Sequence, residues 1–293
     1  MNDSFGIDHP LIAVRNLESV RKTYEAIGFR MTPIGKHPWG TNTSLAMFEG
    51  CLLELMGVYD PALLDVSAVG EFRFGRHVAQ HLTEREGIAL QALHSVDAEA
   101  DAARAAKAGL TCPGTIEFGR DVVLPDGAAD RTRTTLKPLP DARFPRLSFF
   151  LCQQHRPDLI YVPEWLEHPN GTVGINGVTI LANEADHGAI ADRLIPLYGP
   201  ASAVADGFEV KTANGPFRIL TPNGVETAYR ASLEPLNWDG TPSPIAVDLR
   251  CRTPDTVLAR AAATGLAHQQ IVDGVVIADL SRIGNVLLRF RSD

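Results

Sequence analysis

The sequence predicts an α+β fold in which four β-α-β-β-β modules pair into two open, curved sheets. Three observations carry this prediction. A helix bounded by a capping residue and a glycine recurs four times, a short apolar strand precedes each copy, and turn-forming dipeptides cut the chain after the helices into apolar runs. The caps are Asn16, Asp97, Asn183 and Thr253, and the closing glycines are Gly28, Gly109, Gly199 and Gly265. The cap-to-glycine separation is 12 residues in modules one, two and four and 16 in module three. A cap side chain accepts a bond from an orphan helical N–H, and glycine takes the left-handed conformation past the last turn, so the pairing has a physical cause. Thr253-Pro254-Asp255 is the clearest start, with proline at the first helical position and an acid near the positive helix end.

The elements follow in order. In module one, strands are expected near residues 30–34, 44–48 and 52–56, and a further helix over 75–85 bridges to module two. Module two is less regular: 115–123, 131–139 and 147–152 are candidate strands, with 159–162 as an extra strand or a replacement. Module three continues with strands at 208–213, 217–221 and 225–230, and module four with 268–272, 275–280 and 286–290. Asn214-Gly215, Asn223-Gly224, Asp273-Gly274 and Gly284-Asn285 punctuate these runs, and Asn-Gly or Asp-Gly favours the turns that match strand twist, which predicts hairpins. Modules one and two form one domain, 1–165, and modules three and four another, 166–293, with the Pro-Asn-Gly-bearing stretch 164–174 as linker.

Composition narrows the function classes. The chain has 293 residues, 45% hydrophobic and 21% charged, so each half is large enough to bury its own core. A net charge of −8 argues against nucleic acid, because phosphate neutralisation needs a basic stripe. No apolar run is long enough for a membrane span. Four scattered cysteines and no leader-like N-terminus suggest a cytoplasmic protein without a disulfide framework. The expected partner is a small molecule, and a homodimer is compatible with the pattern. The glycines lack phosphate-cradling spacing, so no nucleotide cofactor is expected.

The four modules, the opening GIDHPLIAVRNLESVRKTYEAIGF, the run CLLELMG, and FFLCQQHRPD followed by HPNG together resemble the vicinal-oxygen-chelate superfamily, and within it the glyoxalase-like branch. The resemblance covers nearly the whole chain and implies two glyoxalase/bleomycin-resistance/dioxygenase-like domains. In metal-dependent members, a module gives a His or Gln from its first strand and a Glu from its last, and two modules chelate one divalent ion that binds vicinal substrate oxygens. Carried over by position, module one supplies His9 and Glu54, both ligand types. Module two offers Leu90 on its first strand and Phe149, Phe150 or Tyr161 on its last, none of them an ordinary ligand. Module three offers Asn176 or Gly177 with Ala228 and Glu226, and module four offers Ala246 and Leu288. The resemblance thus leaves two of four ligands in the N-terminal half and an emptied site in the C-terminal half.

Three protein ligands are the usual minimum for a catalytic ion, and His155, at the end of the FFLCQQH strand, is the expected substitute; Gln153 shares its parity. The ion could be Zn, Fe, Ni or Mn. Taken without the family, His9 would be a hydrogen-bonded core histidine, and Glu54, between Leu53 and Leu55, must be paired, ligating, shuttling a proton or on an exposed face. His77, His81 and Glu84 have metal-compatible helical spacing, but a polar surface face is the expectation. His94 is expected at a strand-end surface, His37 and His168 in loops, and Cys152 in packing. Two functions stay open. One is a lyase, isomerase or dioxygenase using His9, Glu54 and His155, with Glu54 and Tyr161 as catalytic groups and Gln153 or Tyr161 on the substrate. The other is a metal-free binding protein whose concavity is lined by Trp39, Leu90, Phe149 and Phe150. The C-terminal half is expected to be a scaffold or dimerisation element, its vacated cavity filled by side chains such as Leu288.

Overall fold

Helices form where caps and periodicity place them. In the computed structural model, which describes residues 4–292, Asn16 accepts from Ser19 N and opens the helix Leu17–Ala26, and Asp97 accepts from Ala100 N and opens Ala98–Lys107. Leu17, Val20 and Tyr24 form one buried stripe on the first of these. Asn183 caps a single turn, Glu184–Asp186, that leads into the helix His187–Tyr198, while Thr253 opens Pro254–Thr264 and spends its hydroxyl on Asn170 O. All four closing glycines have positive φ. At Gly28 a Cβ would stand 2.9 Å from Asn170 Cβ, so this glycine also admits the chain that links the two halves.

The strands make two eight-stranded sheets with the same plan. In the first, Ile7–Ala13 runs parallel to Cys51–Val58 and antiparallel to Gly87–His94, which in turn runs parallel to Phe149–Gln154. Thr41–Phe48 and Gly35–Lys36 complete one flank, and Thr134–Leu139 and Ile116–Phe118 the other. In the second sheet, Thr172–Leu181 and Ser243–Cys251 form the antiparallel centre, flanked by Pro216–Leu220 and Leu287–Arg291 in parallel. Each module therefore closes by setting its last strand beside its first.

The two halves do not have separate cores. Residues of both sheets and of the four capped helices belong to one buried cluster, which includes Phe29, Phe48 and Phe149 from the first half and Val178, Phe217 and Phe290 from the second. Phe149 stacks on Phe217 with ring centroids 5.8 Å apart. The linker is pinned within this seam: Asn170 is fully buried, donates to Ile27 O and accepts from Thr172 N. Each sheet's other face carries its own smaller cluster.

Several expected elements differ. Residues 225–230 are not a strand: Thr221 accepts from Gly224 N, Pro222 takes the first helical position, and Pro222–Tyr229 is a helix. The cap-proline signal outweighs Asn223-Gly224, and the remaining strand of the module is Ser202–Val204, which precedes the other two after the helix. Residues 159–162 lie between the single helical turns Pro157–Leu159 and Pro163–Leu166 rather than in a strand, because the prolines favour turn starts. Within 115–123, Gly119 interrupts the run, and Asp121–Val123 leaves the sheet to pair with Ala129–Arg131 as a two-stranded ribbon. The bridging helix is Phe74–Glu84. No described helix is long and apolar enough to cross a membrane.

Candidate functional site in the N-terminal concavity

A β-bulge builds the centre. On the first strand the ladder passes from Ile7, opposite Leu93, directly to His9, opposite Ala92, so Asp8 is the extra residue. The bulge breaks the in-out alternation, and the side chains of neighbouring Asp8 and His9 meet. His9 Nδ1 donates to Asp8 Oδ1 at 2.5 Å, and His9 Nε2 lies 3.2 Å from Glu54 Oε2. Glu54 reaches this point because its strand runs parallel beside the first, and its Oε1 accepts from Thr43 Oγ1 at 2.7 Å. Asp8 Oδ2 also accepts from His94 Nδ1 at 3.2 Å. Asp8, His9 and Glu54 are all at least 94% hidden from solvent.

Burial by itself would strip the proton from His9, but the bonds to Asp8 and Glu54 outweigh it and raise its pKa to about 9. Burial works against ionisation of Glu54 and Asp8 too, and the histidine bonds nonetheless hold both below the usual carboxylate range. His37 behaves in the opposite way: burial, aided by the charge of Arg120, lowers it to about 3, so it is neutral. It shares a 3.0 Å hydrogen bond with Thr41 Oγ1 and stacks on Trp39 at 4.9 Å.

These groups line a small chamber of about 40 Å³, room for an ion-sized group rather than a whole substrate. Trp39, Phe74, Phe118 and Phe150 form its aromatic wall, and the Phe150 ring meets His9 edge-on at 5.5 Å. Arg120, Leu45 and Ile160 line both this chamber and a wider outer groove of about 520 Å³, and so mark the neck between them. The indole N–H of Trp39 is buried without a hydrogen-bond partner among the described residues.

The remaining expected site residues fall into three groups. Leu90 and Phe150 join Trp39 in the apolar cluster of this face. Tyr161 is half-buried and packs with Leu45, Met47 and Leu52 beside Ile160, which lines the chamber in its place. His155, Gln153 and Phe149 do not converge on His9, because the strand alternates and these three have the outward parity. His155 is exposed and bonds Thr135 Oγ1, Gln153 receives Ala98 N and donates to Val96 O at the start of a helix, and Phe149 lies in the seam between the sheets. Their inward neighbours Cys152 and Gln154 line the chamber instead.

Other histidines also depart from expectation. His77 and His81 are not a surface face: His77 bonds Ala89 O and His81 is buried. His37 lines the chamber rather than a loop surface. His94 is half-buried on Asp8, and His168 is a structural link between Arg30 N and Met47 O. Sequence reasoning passed over Asp8 because strict alternation points it away from His9; the adjacent Asp-His pair before a proline was the available signal. Arg120 carried no such signal.

The donor set suits a divalent cation. The 3.2 Å between His9 Nε2 and Glu54 Oε2 matches neighbouring ligands on one ion, and Asp8 on Nδ1 is the outer carboxylate that commonly orients a metal-bound imidazole. Asp8, His9 and Cys152 offer ligand atoms within 4.8 Å of one another, and burial pushes the Cys152 thiol well above its ordinary pKa.

Comparison with known proteins gives the family and the fold. The sequence profile of a glyoxalase-like domain matches residues 7–194, well over half of the chain. The chain belongs to the glyoxalase-like domain family. No curated protein matches its sequence. Among solved structures, this glyoxalase-like chain is similar to a hypothetical protein from Staphylococcus aureus, at 14% identity and a TM-score of 0.69, over 98% of this chain and 99% of that one. It is also similar to a mutant of 4-hydroxymandelate synthase from Streptomyces coelicolor, at 10% identity and a TM-score of 0.57, over 99% of this chain and 92% of the other. A fusion of a xylose isomerase-like TIM barrel with 4-hydroxyphenylpyruvate dioxygenase matches at 11% identity and a TM-score of 0.55, with 99% of this chain and 48% of that chain covered. At these identities the likeness is one of fold: a two-sheet vicinal-oxygen-chelate architecture.

Proposed function

We propose that the N-terminal concavity binds a divalent metal ion through His9 and Glu54 and transforms a small organic molecule there, with lyase, isomerase or dioxygenase chemistry. The observation that carries this reading is the buried Asp8–His9–Glu54 chain. Two carboxylates flank one imidazole, so the protonated imidazolium leaves a net negative charge in a dry chamber, and replacing its Nε2 proton by a divalent ion makes the trio and ion neutral. Such an ion supplies Lewis acidity toward charge developing on substrate oxygens. The protein's own groups do the rest. Asp8 holds His9 by Nδ1 so that Nε2 faces the chamber, Thr43 fixes one oxygen of Glu54 and leaves the other toward His9, and the aromatic wall excludes water.

A second reading, metal-free binding of an apolar compound, is favoured by Leu90 and Phe150, which stand where module two of a chelating member would give ligands. The metal content of untagged protein decides between them. The enzyme reading expects about one divalent ion per chain, at least tenfold depleted in His9→Ala and Glu54→Gln variants that keep the wild-type circular dichroism. Metal-free wild-type protein that takes up no zinc or ferrous ion sinks the reading.

A further inference from the structure

Arg120 is unusual among the arginines near the site. It sits at the root of the 121–131 ribbon, its backbone fixed by Arg120 N donating to Thr132 Oγ1 and Thr132 N donating to Arg120 O, each at 2.9 Å. Gly119 permits this closeness, since a Cβ there would lie 2.3 Å from Thr132 O. The side chain then runs over Gly35 to the neck between chamber and groove, and a Cβ on Gly35 would lie 3.1 Å from Nη1. Its guanidinium has no hydrogen-bonded protein partner among the described residues. By contrast Arg131 at the groove rim is paired with Asp121, and Arg146 and Arg156 each hold two carboxylates. A second unmet donor, the Trp39 indole N–H, lines the same chamber.

We infer that the substrate is a small carboxylic acid whose carboxylate is received by Arg120 at the neck, with its apolar body in the outer groove. This rests on the metal-site reading above and adds a substrate class to it. Size sets the orientation. The inner chamber is too small for a ring, whereas the groove, at about 520 Å³, has the volume of a small-molecule site and an apolar lining that includes Ile34, Leu45, Met47, Ile160 and Trp165. Charge sets the head group. The Arg120 guanidinium stands at the neck with no carboxylate hydrogen-bonded to it among the described residues, and a substrate carboxylate is its complement. A planar guanidinium fork pairs with a carboxylate in two parallel bonds, which fixes the head group in angle as well as position.

The test uses 3-phenylpropanoate and its amide, titrated calorimetrically into the zinc-loaded protein. The acid is expected to bind the wild type at least about tenfold more tightly than the amide. Arg120→Met should lose that preference while binding the amide as the wild type does, and Arg120→Lys should restore part of it; Arg120→Gln serves in place of Met should the latter fail to fold. Equal binding of acid and amide by the wild type, no saturable binding of either, or a preference that survives in Arg120→Met overturns the inference. Metal content measured on the same samples keeps the two readings apart. Arg120→Met should retain its ion, so loss of acid preference with metal retained concerns Arg120 alone, and a wild type that holds no metal yet prefers the acid counts against the metal site and not against Arg120.

Discussion

The two concavities are built on the same plan and end in opposite states. In the N-terminal sheet the inner face keeps a chamber, a histidine between two carboxylates, and donors without partners. In the C-terminal sheet the helix Pro222–Tyr229 lies over the inner face, and Tyr229, Val225, Leu236, Ala246 and Leu287 fill it. Its polar groups satisfy one another: Asp248 is held by Arg289, with Nε at 2.8 Å, and by Arg218, and the Tyr229 hydroxyl donates to Asp248 Oδ1 at 3.0 Å and bonds Thr179. Burial would lower the pKa of Arg289, but Tyr229 and Asp248 more than reverse it. The difference shows that keeping a site is a matter of what remains unpaired. Both faces bury charge, and only one leaves charge available to a ligand.

The largest effect that can break this comparison is at Asp248. Its removal strands the buried Arg289 and leaves Arg218 with Glu209 alone, and arginine cannot shed its proton, so Asp248→Ala should cost about 3–5 kcal/mol in urea unfolding. A loss below about 0.5 kcal/mol would mean that this face is not the closed, self-satisfied structure described. Glu54→Gln gives the middle effect. It breaks a pair of similar burial, but His9 can discharge, so the cost should be about 1–2 kcal/mol, clearly less than at Asp248. Equal costs at the two positions would erase the distinction between a scaffold pair and a site pair.

The smallest effect lies at the seam between the halves, where His81 sits near Arg85 and near Arg146, which binds Glu84 of one half and Asp239 of the other. Burial first, and then the neighbouring arginines, lower the His81 pKa to about 3 from an ordinary 6.5. The unfolded chain therefore binds a proton that the folded one refuses. The stabilising contribution is complete above pH 6.5 and is lost as pH falls from 6.5 toward 3. His81→Phe should flatten the pH dependence of melting temperature in that window relative to the wild type, which is checked by thermal scans across it. An unchanged slope would place the acid sensitivity elsewhere, with His37 as the next candidate.

Much of this was legible in the chain and some was not, for reasons that individual residues make clear. Asn16 and Asp97 announce helices because a cap acts within three residues. The place of Phe150 was foreseeable only up to parity, and parity misassigned Phe149, Gln153 and His155, because the strand's phase depends on its partner and not on its own residues. Leu288, expected to fill the C-terminal concavity, lies instead in the seam, and Leu287 takes that place, for the same reason.

By itself the sequence determined the module count, the caps of the four repeated helices and the α+β class, all of which rest on local capping, turn chemistry and periodicity, while His9 and Glu54 were marked by the resemblance to the vicinal-oxygen-chelate superfamily. Only the tertiary structure decided that the halves share one core, that a bulge turns Asp8 onto His9, that Arg120 from a ribbon outside the sheet reaches the neck, and that a helix closes the other concavity. Those outcomes depend on which long-range neighbours satisfy or leave unsatisfied a buried polar group, and no local pattern records that choice.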